Sequence, residues 1–294
     1  MALGDHDRLP PVSQYAKALD VGTGTVQTAL THLRRVGAID LEPQGRLGTA
    51  IRGRGLAQLW HVAMERPILA GMPMPYSRIF EGLSTGLRES FRREGLSLVF
   101  FHVDGSRNRL NVLLQGNTDF AVLSALGSQM ALDQNLPVEV VCRLGRGSFL
   151  HKHVMVSLRE FRKRRGQPTK VGIDPSSLEH GFITRVCCNH LKSRGPFEFK
   201  DVPALDFTRR LAERDIDLIV WPTDETLDLR PRDVQQEPIP TGALHELGGA
   251  HTEASLVVRA DDAAALSIVS LLTSKDVVRR VQAQVIRGLR AASY

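Results

Sequence analysis

The chain has 294 residues, 42% of them apolar, with no low-complexity tract, so it can bury a full core and is long enough for one small and one larger domain. Of its 38 basic residues 31 are arginine, and the net charge of +6 is too small a bias to identify a nucleic-acid partner by itself. Three cysteines, Cys142, Cys187 and Cys188, make neither a disulfide framework nor a zinc knuckle; no eighteen apolar residues run together, and the first twenty residues hold no signal-peptide core. A cytoplasmic protein without membrane association, metal or cofactor is expected.

Pro10 and Pro11 break the chain, and a short helix follows with Tyr15, Ala16 and Leu19 as its buried side. Asp20-Val21-Gly22 is a tight turn, with Val21 available to fill the angle it makes. Residues 22–35 then form a second helix: Val26, Ala29, Leu30, Leu33 and Val36 share one face, and Gly37 stops it. Helix, short turn and second helix make a helix-turn-helix. The second helix opens with small and hydroxyl-bearing residues, which let a backbone approach DNA closely and leave first-turn N–H groups for a phosphate. Thr23, Thr25, Gln27, Thr28 and Arg34 are therefore the expected DNA-contacting residues, with the Gln27 amide suited to adenine. Residues 39–54 alternate apolar and polar residues around a turn at Gln44-Gly45, a β-hairpin wing with Arg46 near its tip.

These residues resemble the DNA-binding domain of GntR-type transcription regulators, which show Leu-Pro before the first helix, Thr-Val in the recognition helix and Gly-Thr near the end of the wing. The matching positions are Leu9-Pro10, Thr25-Val26 and Gly48-Thr49. The Gly-Thr-Val-Gln form is most similar to the YhfZ type of regulator. Where such proteins commonly carry Ser-Arg before the Thr-Val pair and Arg after it, this chain has Gly22, Thr23 and Gln27, so no operator sequence carries over. Their winged helix also begins with a helix before the Leu-Pro; eight residues precede Leu9 here, and that first helix is expected to be missing.

Residues 55–66 read as a linker helix with Leu56, Leu59, Trp60 and Ala63 on its apolar side. From residue 67 onward, strands and helices alternate. PILAGMPMPYS (67–77) is a strand running into a Pro-punctuated loop, residues 78–95 a helix with Ile79, Leu83, Leu87 and Phe91 on one face, LSLVFFHV a strand, SRNRLNVLLQGN a helix and DFAVLS (119–124) a strand. The rhythm restarts at KVGIDPSS (170–177), continues through DFTRRLAERDIDLIVW, and ends with the strand TEASLVVR (252–259). Asp119 and Asp217 stand at corresponding helix–strand joints. Two α/β lobes joined by crossing strands is the architecture of type 2 periplasmic-binding-protein modules, which also serve as effector domains of regulators. GMPMPYSRIFEGLSTGL and VGIDPSSLEHG resemble the corresponding parts of YhfZ-type regulators. The expected organisation is a winged helix-turn-helix domain over 1–54, a linker over 55–66 and a two-lobed effector domain over 67–294.

In open α/β sheets ligands sit beyond the carboxyl ends of strands. That rule selects Tyr76, Ser77 and Arg78, then Ser124, then Asp174, Ser176 and Ser177, and finally Trp221 and Thr223. Arg78 and the helix starts at the serines suit an anion; the alternative for the serines is that they only cap helices. His151-Lys152-His153 could present two imidazoles on one strand face but lacks further ligands for a metal. REFRKRRGQPTK (159–170) reads as a solvated connector. The sequence thus points to a dimeric regulator that binds double-stranded operator DNA and senses a small anionic effector, without catalytic residues. A solute-binding protein or a small-molecule transferase on the same fold are the alternatives.

Overall fold

A computed structural model describes residues 7–161, 166–191, 195–225, 230 and 232–293. A two-residue strand, β1 (Arg8–Leu9), leads through the proline pair into α1 (Val12–Leu19), and Asp20, at φ 52°, turns the chain into α2 (Thr23–Arg35). Gly37 ends α2 at φ 75°, a conformation open to glycine, and the Ala38 amide closes back on Leu33 O. The wing is β2 (Ile39–Pro43) and β3 (Thr49–Arg54), with β1 on the other side of β3.

Buried Ala16 and Val26 lie at the heart of this small sheet-and-helix unit. Leu19 and Val21, expected to be inside, are 64% and 40% exposed. The left-handed residue Asp20 ends α1 at Leu19, which therefore projects past the helix pair. Next, α3 (Leu56–Met64) buries Trp60, whose indole N–H donates to Arg66 O. Residues 1–67 with 94–97 form one compact unit, and residues 68–93 with 98–294 a second.

The second unit has two lobes. Lobe 1 begins β4 (Ile68–Met72), α4 (Arg78–Arg93), β5 (Leu98–His102), α5 (Ser106–Leu114), β6 (Phe120–Ser124), α6 (Ala125–Asp133) and β7 (Val138–Arg143). The chain then crosses to lobe 2, made of β8 (His153–Leu158), β9 (Thr169–Ile173), α7 (His180–Asn189), β10 (Phe197–Asp201), α8 (Phe207–Ala212), β11 (Ile219–Pro222), β12 (Val234–Pro238) and α9 (Thr241–Leu247). It returns to lobe 1 as β13 (Ala254–Arg259), α10 (Ala263–Leu272) and α11 (Lys275–Ile286).

Lobe 1 has the strand order β5-β4-β6-β13-β7. In lobe 2, the pair β10-β9 joins β11-β8-β12 through a parallel bridge between Val171 and Leu218. In each lobe three parallel strands are followed by an antiparallel strand that has just crossed from the other lobe, β13 in one and β8 in the other.

The joints at Asp119 and Asp217 are equivalent in detail. The Asp119 carboxylate accepts the Leu69 amide at 2.8 Å while its own N–H donates to Leu69 O; Asp217 does the same with Lys170, its carboxylate at 2.9 Å. Each aspartate pins the start of its third parallel strand to the first.

Lobe 1 is braced by α4 against α11. Gly82 and Gly86, one turn apart, admit the partner backbone: a Cβ at Gly82 would lie 2.9 Å from Gln282 O, and one at Gly86 2.6 Å from Val278 O. Ile79, Leu83, Leu87 and Phe91 are buried as the periodicity requires, and Phe91 stacks on Phe120 with centroids 5.9 Å apart. In lobe 2 the core holds Cys187 and Cys188, whose thiols are pushed up to about 12 by burial. Among the described residues no helix is long and apolar enough to cross a membrane.

Candidate functional site

On the first unit, α2 begins at Gly22 with no side-chain cap and no acidic residue in its first turn. The Thr25 amide turns back on Gly22 O at 3.1 Å, which leaves the Thr23 and Gly24 amides for an outside acceptor. Thr23, Thr25, Gln27, Thr28 and Arg34 are all exposed, as is Arg46 in the turn Gly45–Leu47 of the wing. The Thr28 hydroxyl donates to Gly24 O at 3.0 Å, so it faces any partner as an acceptor and a methyl group.

In the second unit the carboxyl ends of both sets of parallel strands enclose a cavity of about 160 Å³. One half of its wall is apolar: Met74, Tyr76, Phe149, Leu205, Phe207 and Trp221. The other half is charged or polar, with Asp104, Arg109, Asp174, Glu179 and Glu225 beside His153, His180 and His251.

Glu179 is where the lobes clasp. From lobe 1, Ser106 Oγ donates to its carboxylate at 2.5 Å and Ser124 Oγ at 2.8 Å; from its own lobe, Ser177 Oγ donates at 3.1 Å. Ser106 Oγ also accepts the Leu178 amide at 2.8 Å, and Arg107 N–H donates to Ser176 O at 2.9 Å. Gly105, at φ 73°, lies directly against Ser176, and no side chain would fit between them.

Arg109 is 4% exposed, donates to Val103 O and Val122 O, and faces Glu179, Asp104 and Glu225. Burial lowers its pKa to about 10, still a cation at neutral pH. Burial raises Asp104, helped by the charge of Asp174, and raises Glu225 to about 7, helped by Asp104 and Asp224. The histidines go the other way. Burial holds His153 down at about 3 and lowers His180 and His251. His180 Nδ1 accepts the Asp174 amide, so its hydrogen sits on Nε2, which donates to Val220 O.

The sequence-selected cleft residues divide three ways. Tyr76, Asp174, Ser177 and Trp221 line the cavity. Ser124 and Ser176 stand just behind it: Ser124 holds Glu179 and caps α6, and Ser176 donates to Asp174 through both its amide and its hydroxyl. Ser77, Arg78 and Thr223 face elsewhere. Ser77 is buried and caps α4 through the Phe80 amide. Arg78 extends forward along its helix to Glu81 and across to Val285 O of α11, both at 2.6 Å. Thr223 is exposed and bonded to Lys152 O.

His151 and His153 do not converge. His151 pairs with Asp224 at 2.6 Å, whereas His153 enters the cavity wall. The basic run at 159–170 lies partly outside the described residues, since 162–165 are not among them. A larger hollow of about 270 Å³ opens at the amino ends of the lobe 2 strands, where Glu160 and Arg214 pair with each other. It is on the wrong side of the sheet for the strand-end rule.

Asp104 and Ser106 could have been found from sequence, because they follow β5 as Asp174 and Ser177 follow β9. His153 and His251 flank the two crossovers, where no periodicity marks them.

A family profile described as the YhfZ C-terminal domain matches residues 56–294, and one described as a helix-turn-helix domain matches residues 5–51. The YhfZ protein of Escherichia coli (strain K12) is 27% identical over 297 residues, covering 98% of this chain and 91% of that protein. The crystal structure of YhfZ from Shigella flexneri superposes with a TM-score of 0.63 at 24% identity, over 82% of this chain and 98% of that one. The periplasmic VFT2 domain of BvgS from Bordetella pertussis gives 0.50 at 14% identity, over 78% of this chain and 96% of that one, a likeness of fold. With both lobes and the linker helix matched, the chain belongs to the YhfZ family, its two-lobed, periplasmic-binding-protein-like domain preceded by a helix-turn-helix.

Proposed function

We propose that the protein is a cytoplasmic transcription regulator that binds operator DNA as a homodimer and adjusts that binding to a small molecule held between the lobes. One observation carries the reading: the uncapped start of a helix-turn-helix recognition helix occurs in the same chain as a cleft whose walls come from two clasped lobes. Two recognition helices fit two half-sites one helical turn apart, which is the reason to expect a dimer. A ligand that favours one lobe arrangement shifts the DNA equilibrium by no more than its differential affinity for the two states. Of the groups expected to take an anion, Arg78 and Ser77 do not line the cleft, and the hydroxyls of Ser176 and Ser177 donate to the carboxylates of Asp174 and Glu179. The ligand's charge has to be read from the groups that do.

The test uses DNA from the region upstream of the gene. Gln27→Ala should relax base preference at one position, at a cost of roughly 1–3 kcal/mol. Arg46→Ala should weaken binding to all sequences and reduce the salt slope by about 1. Equal losses on specific and random DNA in both variants would remove the assignment of roles.

A further inference from the structure

The charged groups of the cavity wall are unbalanced. Four carboxyl groups, Asp104, Asp174, Glu179 and Glu225, face one guanidinium, that of Arg109, and the three histidines are held neutral by burial. Glu179 is occupied by three serine hydroxyls, and Asp174 by the amide and hydroxyl of Ser176. Asp104 and Glu225 have no ion pair among the described residues beyond the shared field of Arg109. Carboxylates placed this way pay for desolvation without a cation of their own, Asp104 having the Gly105 amide as a hydrogen-bond donor.

A second observation is independent of the carboxylates. His153 and His251 are 7% and 3% exposed and line the same cavity, their rings 5.2 Å apart. The Nδ1 atom of each is buried without a hydrogen-bond partner among the described residues. Buried polar nitrogens are ordinarily satisfied, and two unsatisfied ones beside a cavity point to a polar ligand.

We infer that the cleft is built for a small organic cation, a protonated amine held by Asp104 and Glu225, with the rings of His153 and His251 as neutral polar neighbours and Met74, Tyr76, Phe149, Leu205 and Trp221 receiving its apolar body. This rests on reading the cleft as the effector site. A cation supplies the countercharge the wall lacks, whereas an anion would add to the repulsion. A cavity of about 150 Å³ accepts benzene, so a body of about that size fits here.

The experiment follows thermal unfolding and titration of the full chain with 2-phenylethylamine, n-butylamine and cadaverine, and with the alcohols and carboxylates of the same carbon skeletons. At least one amine should stabilise the chain where its alcohol and carboxylate do not. Its Kd should rise about thirtyfold or more in Asp104→Asn and in Glu225→Gln. The unmodified chain gives a second readout that needs no variant. Glu225 faces Asp104, Asp224 and Arg109, with Asp174, Glu179 and the three neutral histidines around the same cavity, and a cation favours its ionised form. Amine affinity should therefore increase from about pH 6 to about pH 8, with a proton released on binding. Stabilisation by carboxylates or alcohols instead, abolished by Trp221→Ala, would overturn the cation and leave the cleft as the site. Failure of every probe to stabilise the chain in a Trp221-dependent way would count against both.

Discussion

The two lobes repeat one strand order but place their polar turns at opposite positions. In lobe 1 the first parallel strand ends in Pro73-Met74-Pro75-Tyr76 and the second in Asp104-Gly105-Ser106; in lobe 2 the first ends in Asp174-Pro175-Ser176-Ser177 and the second in Pro203-Ala204-Leu205. The polar turns meet across the cleft, Arg107 on Ser176 and Leu178 on Ser106. The apolar turns supply Tyr76 and Leu205 to the cavity wall, 49% and 70% exposed. Topology puts all four turns at the cleft; the residues in each turn give the cleft one polar side and one apolar side.

The clasp between the lobes should be the most sensitive point of the comparison. Glu179→Ala leaves Ser106 and Ser124 of lobe 1 without their lobe 2 acceptor, and should cost about 3 kcal/mol or more in urea unfolding. Small-angle scattering should show a larger radius of gyration; an unchanged profile would mean that other contacts hold the lobes together.

Glu225, which follows β11 of lobe 2, faces Asp104 and Arg109 of lobe 1. Its pKa of about 7 lies above the ordinary 4.5, so its contribution to stability is full below about pH 4.5 and is lost as the pH rises through 7. Glu225→Gln should therefore melt higher than the native chain at about pH 8, by up to about 3 kcal/mol, with the gain gone at about pH 4. A pH-independent difference would remove the titration of Glu225 as its cause.

The helices differ in what they tolerate. Gly86→Ala drives a Cβ against the Val278 backbone and should cost about 2 kcal/mol, while Gly181→Ala in α7 meets only the Cγ2 methyl of Ile173 at 3.2 Å and should change stability by less than about 1 kcal/mol. Equal costs would show that α4 and α11 can slide apart.

The smallest effect concerns the paired aspartates. Asp119→Ala exposes a deficit at a buried joint, Asp119 being 4% exposed, and should cost about 1–2 kcal/mol; Asp217→Ala, at the more open joint, should cost less. Calorimetric melting of the two variants decides whether burial sets the difference.

Much of this architecture is legible in the sequence because its signals are local. The period of Ile79, Leu83, Leu87 and Phe91 marks α4, and the aspartates that open DFAVL and DLIV, Asp119 and Asp217, mark equivalent joints. The helix α6 is harder to see, since it starts directly from the last residue of β6 with Ser124 as its cap. The helices α9, α10 and α11 are punctuated, by Pro240 and Gly248, by the cap Asp262 and by the cap Ser274, but no local pattern says what they pack against, and α10 is apolar on nearly every side. That gap explains Arg78. The strand-end rule finds its loop, but the partner that draws the side chain away, Val285 O, belongs to a helix about two hundred residues later. His153 and His251 meet only because two crossovers pass side by side.

Lobe 2 is an insertion in lobe 1, and this has a mechanical consequence. Ile68 and Ser293 both belong to lobe 1, and Ser293 is tied to α4 by its amide on Thr85 Oγ1 at 2.9 Å. Tension applied between these two ends loads β4, α4 and α11 while lobe 2 hangs outside the force path, joined covalently through residues 144–152 and 248–253 and otherwise by the Glu179 clasp. Pulling should therefore unravel lobe 1 first and leave lobe 2 under no load until β7 or β13 has been stripped from the sheet.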